Sequence, residues 1–267
     1  MCGTCGCDPA TAVDHDRHHD LPHEHVDADG RRFTHVHAHP PIGDRVTVDL
    51  EARLLAKNDA LAAKSRAWFH AHGVLALNLV SSPGSGKTSL LVRTINDLHD
   101  SHPFYVIEGD QETSRDAELI RETGAPAVQL NTGTGCHLDA EMVSRGIGEL
   151  APADGGLVLI ENVGHLMSPA LLDLGERAKV AILSVTEGDD KPLKYPHMFR
   201  AAQLLLLNKI DLLPYVDFNV LAAIAHAHQV NPELQVLCVS AKTGEGMAAW
   251  YAWITRQAGG SRAPVLA

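Results

Sequence analysis

Ser81-Ser82-Pro83-Gly84-Ser85-Gly86-Lys87-Thr88 comes directly after the apolar run Gly73-Val74-Leu75-Ala76-Leu77-Asn78-Leu79-Val80, and the junction decides the fold. A buried strand feeds a glycine-rich turn, and Lys-Thr then opens a helix. That order cradles nucleotide phosphates: backbone N–H groups of the turn point at the phosphate oxygens, and the helix dipole favours their negative charge. Gly84, Ser85 and Gly86 form the cradle, with Ser89 at the same helix start. Lys87 is placed to reach the β- and γ-phosphates, and the Thr88 hydroxyl to hold Mg²⁺. Ser81 stands where the generic pattern G-x-x-x-x-G-K-[ST] has its first glycine. A plain Gly/Ser turn would account for this stretch alone, but not for the motifs farther along the chain.

Two later segments select the base. Leu204-Leu205-Leu206-Leu207 runs into Asn208-Lys209-Ile210-Asp211, so an N-K-x-D motif sits at a strand end. A carboxylate there accepts two hydrogen bonds from guanine N1–H and the 2-amino group, which adenine cannot supply. The wrong base would leave that carboxylate desolvated and unpaired. Val236-Leu237-Cys238-Val239 leads into Ser240-Ala241-Lys242, a second strand-end loop suited to guanine O6. Each tetrapeptide is weak alone; together, in this order and each behind an apolar strand, they specify GTP and GDP as ligands.

Between them lie segments suited to perform and sense hydrolysis. Tyr105-Val106-Ile107-Glu108 precedes Gly109-Asp110-Gln111, and Leu157-Val158-Leu159-Ile160 precedes Glu161-Asn162-Val163-Gly164. Glu161 takes the acidic position that orients Mg²⁺, and Gly164 offers a backbone N–H to the γ-phosphate with no Cβ in the way. Asp110 is the candidate mobile acid that approaches the metal or the attacking water. Lys87, Asp110 and Glu161 are thus the expected catalytic set, although acids at strand ends also serve as plain helix caps.

Alternating strands and helical segments from Gly73 onward imply a parallel sheet with right-handed crossovers. The expected fold is α/β: a P-loop NTPase with a mostly parallel sheet flanked by helices, behind a disordered metal-binding N-terminal leader. The divisions are residues 1–45 (Cys/His-rich leader), 46–72 (N-terminal helix), 73–258 (GTPase domain) and 259–267 (loose tail). The N-terminal helix is expected from Asp49 to about His72, capped by Asp49, with Leu50, Leu54, Leu61 and Trp68 along one stripe. Crossover helices are expected over residues 89–99, 114–121, 139–150, 217–228 and 247–258. Hydrophobic residues make up 45% of the 267 and aromatics only 4%, which suits a sheet core of Val, Ile, Leu and Ala. A net charge of −11 argues against a nucleic-acid partner held by phosphate neutralisation. No apolar run nears the ~20 residues that cross a bilayer, and no signal-peptide segment is visible, so the protein reads as cytoplasmic.

Met1-Cys2-Gly3-Thr4-Cys5-Gly6-Cys7 opens the leader with a C-x-x-C-x-C arrangement, beside a tract holding eight of the 17 histidines. Glycines between the thiols let the backbone wrap one ion. Three soft donors plus a nitrogen suit square-planar Ni²⁺, and Zn²⁺ or Cu⁺ fit the same ligands. The histidines suit either weak metal buffering or a polar linker. Cys136-His137, just before Leu138-Asp139-Ala140 and a helix start, is a second candidate. Two ligands make half a site, which a symmetric dimer would complete. Cys238 reads as a core residue.

These motifs together resemble the HypB family, the hydrogenase nickel-incorporation GTPases of the SIMIBI branch of P-loop proteins. The segments carrying the resemblance are Cys2-Gly3-Thr4-Cys5-Gly6-Cys7, the histidine tract, Ser82 to Thr88, Glu108-Gly109-Asp110-Gln111, Gly135-Cys136-His137-Leu138-Asp139-Ala140, Glu161-Asn162-Val163-Gly164 and Asn208-Lys209-Ile210-Asp211. The stretch from Ser184 to Pro196 also reads as family signature, without a physical role. The resemblance implies a GTP-dependent homodimer that delivers nickel to the hydrogenase large-subunit precursor together with a HypA-type metallochaperone. It implies tight nickel binding by Cys2, Cys5 and Cys7, and a weaker, nucleotide-responsive Ni²⁺ or Zn²⁺ site at Cys136 and His137. Members with the full second site carry a further cysteine where this chain has Ser168, with His165 and Met167 nearby. A urease-type nickel GTPase and a metal store with a slow nucleotide domain are the alternatives.

Overall fold

Seven strands pair in the order β5-β4-β6-β3-β7-β8-β9, every neighbouring pair parallel. They are β3 (Leu75–Ser81), β4 (Phe104–Asp110), β5 (Ala127–Asn131), β6 (Leu157–Glu161), β7 (Ala178–Ser184), β8 (Leu204–Asn208) and β9 (Gln235–Cys238). The computed structural model describes residues 23–26, 32–35, 44–110, 115–132, 137–163 and 172–259. The chain divides into two units, Met1–Leu55 and Ala56–Ala267. In the first, β1 (His23–Val26) and β2 (Arg32–His35) pair antiparallel, a short ladder that the expectation of a disordered leader did not include.

In the second unit, β3, β6, β7 and β8 are buried throughout, which explains their unbroken apolar sequences. Leu75, Leu77 and Leu79 face one helix layer, α2 (Lys87–Leu98) and α8 (Met247–Gly259), through Leu90, Leu91, Ile95, Trp250 and Ile254. The Trp250 indole N–H donates to Thr94 Oγ1 at 2.9 Å, tying the last helix to the helix behind the phosphate turn. On the other face, Ile107, Val158 and Ile160 pack against Phe69 and against Val143 and Ile147 of α4 (Ala140–Leu150). Leu205 and Leu207 pack against Phe199 and Ala227, from α6 (Pro196–Ala201) and α7 (Val220–Val230). The smaller α3 (Arg115–Arg121) and α5 (Lys191–Lys194) also lie among the described residues. All five expected crossover helices lie within three residues of observed ones at each end; the largest offset is at residues 217–228, since α7 starts later behind its cap Asn219.

The N-terminal helix departs from expectation twice. It runs over α1 (Asp44–Ala71), so Asp49 lies inside it and does not cap it. Pro40-Pro41-Ile42-Gly43 ends just before, and proline pairs of this kind do not continue a helix. Its buried residues are also Asn58, Ala62, Ser65 and Phe69, whereas Leu54 is 59% exposed. Of the expected stripe, Leu61 is only partly buried and Trp68 packs on the apolar core beside Phe69, and the backbone at Gly175 also lies against α1. A Cβ on Gly175 would lie 2.6 Å from Ala62 O and 2.9 Å from Arg66 N, and Gly175 has φ +87°. Arg66 donates to Asp173 beside it. Burial opposes the Asp173 charge, but Arg66 and the Gly175 amide outweigh it and hold this carboxyl below its ordinary value. Gly175→Ala is therefore expected to destabilise the domain by roughly 2 kcal/mol, from backbone strain and contact together. Urea unfolding of the variant checks this, and a loss under about 0.5 kcal/mol would rule out the close approach.

Ser184 to Pro196 comprises the turn after β7, α5 and the start of α6. Glu187 accepts from the Ser184 amide at 3.0 Å and pairs with Lys191 at 3.5 Å, which gives this signature a structural role.

Candidate functional site

β3 stops at Ser81, the chain turns over residues 82–86, and α2 starts at Lys87. Two glycines make the turn possible, Gly84 at φ +74° and Gly86 at φ +89°. Ser81 has no positive φ; it is fully buried in the strand and donates to Ser82 O at 3.0 Å. The serine in place of the pattern's first glycine is thus accommodated without strain. Residues 81–89, Asp116, Leu119 and Lys209 line a cleft of about 560 Å³ over the helix start. Asp116, in the first turn of α3, lines this cleft although no motif in the sequence marked it.

The segments expected to read the base fold onto this turn. Asn208 Nδ2 donates to Ser85 O at 3.0 Å, its Oδ1 accepts from Ala241 N at 3.3 Å, and Lys209 Nζ donates to Gly84 O at 2.6 Å. The fit is close: a Cβ on Gly86 would lie 2.7 Å from Asn208 Nδ2. Lys209 itself holds φ +63°, a left-handed conformation that non-glycine residues adopt at local cost, commonly at functional positions. Asp211 Oδ1 accepts from Ser240 Oγ at 2.6 Å, which fixes the carboxylate. Gly86, Ser89, Asn208, Lys209, Asp211, Leu212, Ala241 and Lys242 line a pocket of about 290 Å³ that shares Gly86, Ser89 and Lys209 with the cleft. The pocket holds the Asp211 carboxylate that guanine N1–H and the 2-amino group would need, and it adjoins the glycine-rich turn.

Glu161 lies at the end of β6 and gathers the two functional side chains of the helix start. Its Oε1 accepts from Lys87 Nζ at 2.7 Å and from Thr88 Oγ1 at 2.8 Å. Its other oxygen, Oε2, is buried without a hydrogen-bond partner among the described residues. An unclaimed carboxylate oxygen next to a hydroxyl is a hard-donor set that suits Mg²⁺. Asp110 is the last residue of β4, paired with Asn131; its side chain lies outside the described residues.

His137 is partly buried and directly precedes Leu138 and Asp139, whose carboxylate caps α4 by accepting from Met142 N at 2.8 Å. Cys2, Cys5, Cys7, Cys136, Gly164, His165, Met167 and Ser168 lie outside the described residues. Among the described residues, no three His, Cys, Asp or Glu side chains converge as a metal site. Cys238 is only half-buried in the edge strand β9, with burial pushing its thiol pKa up; it borders the core rather than filling it. No helix among the described residues is long and apolar enough to cross a membrane.

This architecture has known counterparts. The family model for the CobW/HypB/UreG nucleotide-binding domain matches residues 75–238. Hydrogenase maturation factor HypB of Rhizobium leguminosarum bv. viciae is 61% identical over 215 residues, covering 80% of this chain and 72% of that protein. The crystal structure of HypB from Archaeoglobus fulgidus matches with TM-score 0.72 and 37% identity, over 76% of this chain and all 100% of that one. HypB from Helicobacter pylori, solved in complex with nickel, matches with TM-score 0.72 and 34% identity, over 79% of this chain and 99% of that one.

Proposed function

Since the chain belongs to the CobW/HypB/UreG nucleotide-binding family, among the HypB hydrogenase maturation factors, we propose that it is a GTP-hydrolysing nickel metallochaperone. Its cargo is Ni²⁺ bound for the hydrogenase large-subunit precursor, and its partner in transfer is a HypA-type metallochaperone. The GTP state sets dimerisation and metal transfer, in the cytoplasm.

The observation that carries this reading is the convergence of Lys87 and Thr88 on one oxygen of Glu161. It links the phosphate cradle to residues 161–164, the segment that must distinguish GTP from GDP. Asp211 selects guanine, backed by Asn208, Lys209, Ser240, Ala241 and Lys242. Residues 84–89 seat the phosphates, with Gly164 N–H directed to the terminal one and Lys87 across the β- and γ-phosphates. Thr88 and Glu161 would hold Mg²⁺, which when bound offsets negative charge on the phosphoryl group in flight. Asp110 approaches the metal or the attacking water. GTP draws residues 110 and 161–164 inward and favours the dimer, in which Cys136 and His137 of each subunit face one another around Ni²⁺ or Zn²⁺. Hydrolysis releases those segments, so the two nucleotide states differ in metal affinity through their differential contacts. Cys2, Cys5 and Cys7 hold the tighter nickel.

Calorimetric Ni²⁺ titration tests this, using the full chain and a chain lacking residues 1–45, each with GDP or a non-hydrolysable GTP analogue. The expected result is a tight site lost on truncation and a weaker site that survives and responds to nucleotide. If all binding vanishes with the leader and nucleotide changes nothing, Ser168 has removed the internal site. The protein would then be a leader-based nickel carrier attached to a GTPase.

A further inference from the structure

We propose that Asn162 is the positioning residue that couples the nucleotide-sensing end of β6 to the His137 metal segment; this rests on the switching function proposed for the chain. Asn162 directly follows Glu161 and is fully buried. Its side-chain Oδ1 accepts two backbone amides at once, Val163 N at 3.0 Å and Leu138 N at 3.1 Å. One of those amides belongs to the sensing segment. The other belongs to the residue after His137, 24 positions earlier in the chain.

The rest of the environment leaves Asn162 little freedom. Its own amide donates to Leu79 O at 3.2 Å, in the strand that feeds the phosphate turn. Its Nδ2 faces Asn78 Oδ1 at 3.5 Å, and Asn78 Nδ2 donates in turn to Glu176 at 3.2 Å. A row of polar side chains therefore crosses the sheet interior and holds the amide plane of Asn162. Buried networks of this kind are rigid when satisfied and costly when broken.

Leu138 is confined from the opposite side. It is fully buried against Gly109, where a Cβ would lie 2.7 Å from Leu138 Cγ. Gly109 immediately precedes Asp110, so Leu138 sits between both segments expected to respond to the γ-phosphate. Two residues on, Ala140 N donates to Asn58 Oδ1 at 2.9 Å, and Asn58 Nδ2 donates to Asp173 O at 2.7 Å. The far end of the His137 segment is thus anchored to α1, while its near end hangs on Asn162. A shift of about 1 Å in residues 161–163 must either carry Leu138 along or break its hydrogen bond, since N–H···O bonds fail beyond about 3.5 Å. Two discrete arrangements of this kind are what a coupling between sites requires. Because Ala140 is fixed separately, the motion falls on His137 and Leu138 and leaves α4 in place.

The test uses the full chain with Cys2, Cys5 and Cys7 replaced by serine and the eight leader histidines replaced by glutamine, so that only internal nickel binding is read. Ni²⁺ dissociation constants are measured with GDP and with a GTP analogue in the otherwise wild-type chain, Asn162→Ala and Asn162→Asp. The wild-type ratio between nucleotide states is expected in the range of about 5- to 150-fold. Asn162→Ala should bring it within about twofold of unity, while GDP affinity changes less than about threefold. Asn162→Asp, which keeps the acceptor oxygen, should restore most of the ratio; a purely structural role would not separate the two variants in this way. An Asn162→Ala ratio equal to wild type overturns the coupling role and leaves the switch reading standing. A wild-type ratio of one overturns the switch reading, and the coupling with it. Should Asn162→Ala fail to fold, amide exchange in the unmutated chain decides. The Leu138 amide should differ at least fivefold between nucleotide states while Ala140 does not, and equal exchange at Leu138 overturns the proposal.

Discussion

Lys87→Ala is expected to lower GTP turnover by about 10²- to 10³-fold, the usual cost of removing one preorganised charge from a developing transition state. Lys87 is only 12% exposed and its ammonium lies 2.7 Å from Glu161, in the cleft over the helix start. The variant also leaves Glu161 buried with one donor fewer, so its GTP affinity should fall as well. Nickel binding at Cys2, Cys5 and Cys7 should be unchanged, since those thiols do not depend on the phosphate cradle. Single-turnover phosphate release measures the first effect and Ni²⁺ titration the second. Wild-type turnover in Lys87→Ala would refute the phosphate-loop assignment.

Asp211→Asn should cost about 10²-fold or more in GTP affinity, because two hydrogen bonds to a charged acceptor contribute about 1.5–3 kcal/mol each. The amide would present a donor where guanine also presents donors, so the loss includes a clash of like groups. Xanthine carries a carbonyl at the same ring position, and its nucleotide should recover much of the lost affinity. The 2.6 Å bond from Ser240 to Asp211 means the substituted side chain stays in place and the change is read at the base. Competition between GTP and XTP measures it, and unchanged guanine selectivity would remove Asp211 from the base-reading role.

Most of the nucleotide domain was legible because its central strands are buried on both faces. Such strands appear as uninterrupted apolar runs, and each one ends in the polar residues that form the site. Leu204 to Leu207 followed by Asn208 shows this directly, and so does Leu157 to Ile160 followed by Glu161. Helix α1 was misread for the complementary reason. Its buried face is small and polar at Asn58, Ala62 and Ser65, because it packs on the Gly175 backbone and Asn58 hydrogen-bonds to Asp173 O and Ala140 N. Apolar periodicity has no access to a contact of that type. The four-residue α5 and six-residue α6 are too short to complete two turns, so they carry no period to detect. The link from Asn162 to Leu138 was also beyond sequence reasoning, since it joins residues 24 positions apart that only the folded sheet brings together.

The bond from Trp250 to Thr94 has a consequence for how the protein is made. Thr94 and Trp250 are separated by 156 positions, and the residues that brace the phosphate turn, Asn208, Lys209 and Ala241, also come late in the chain. A nascent chain therefore displays its phosphate turn long before the surroundings of that turn have left the ribosome. Domains dominated by such distant pairings fold slowly and expose apolar surface meanwhile. Guanine nucleotide can stabilise this domain only once translation is nearly complete, so the leader thiols emerge long before the domain can hold nucleotide.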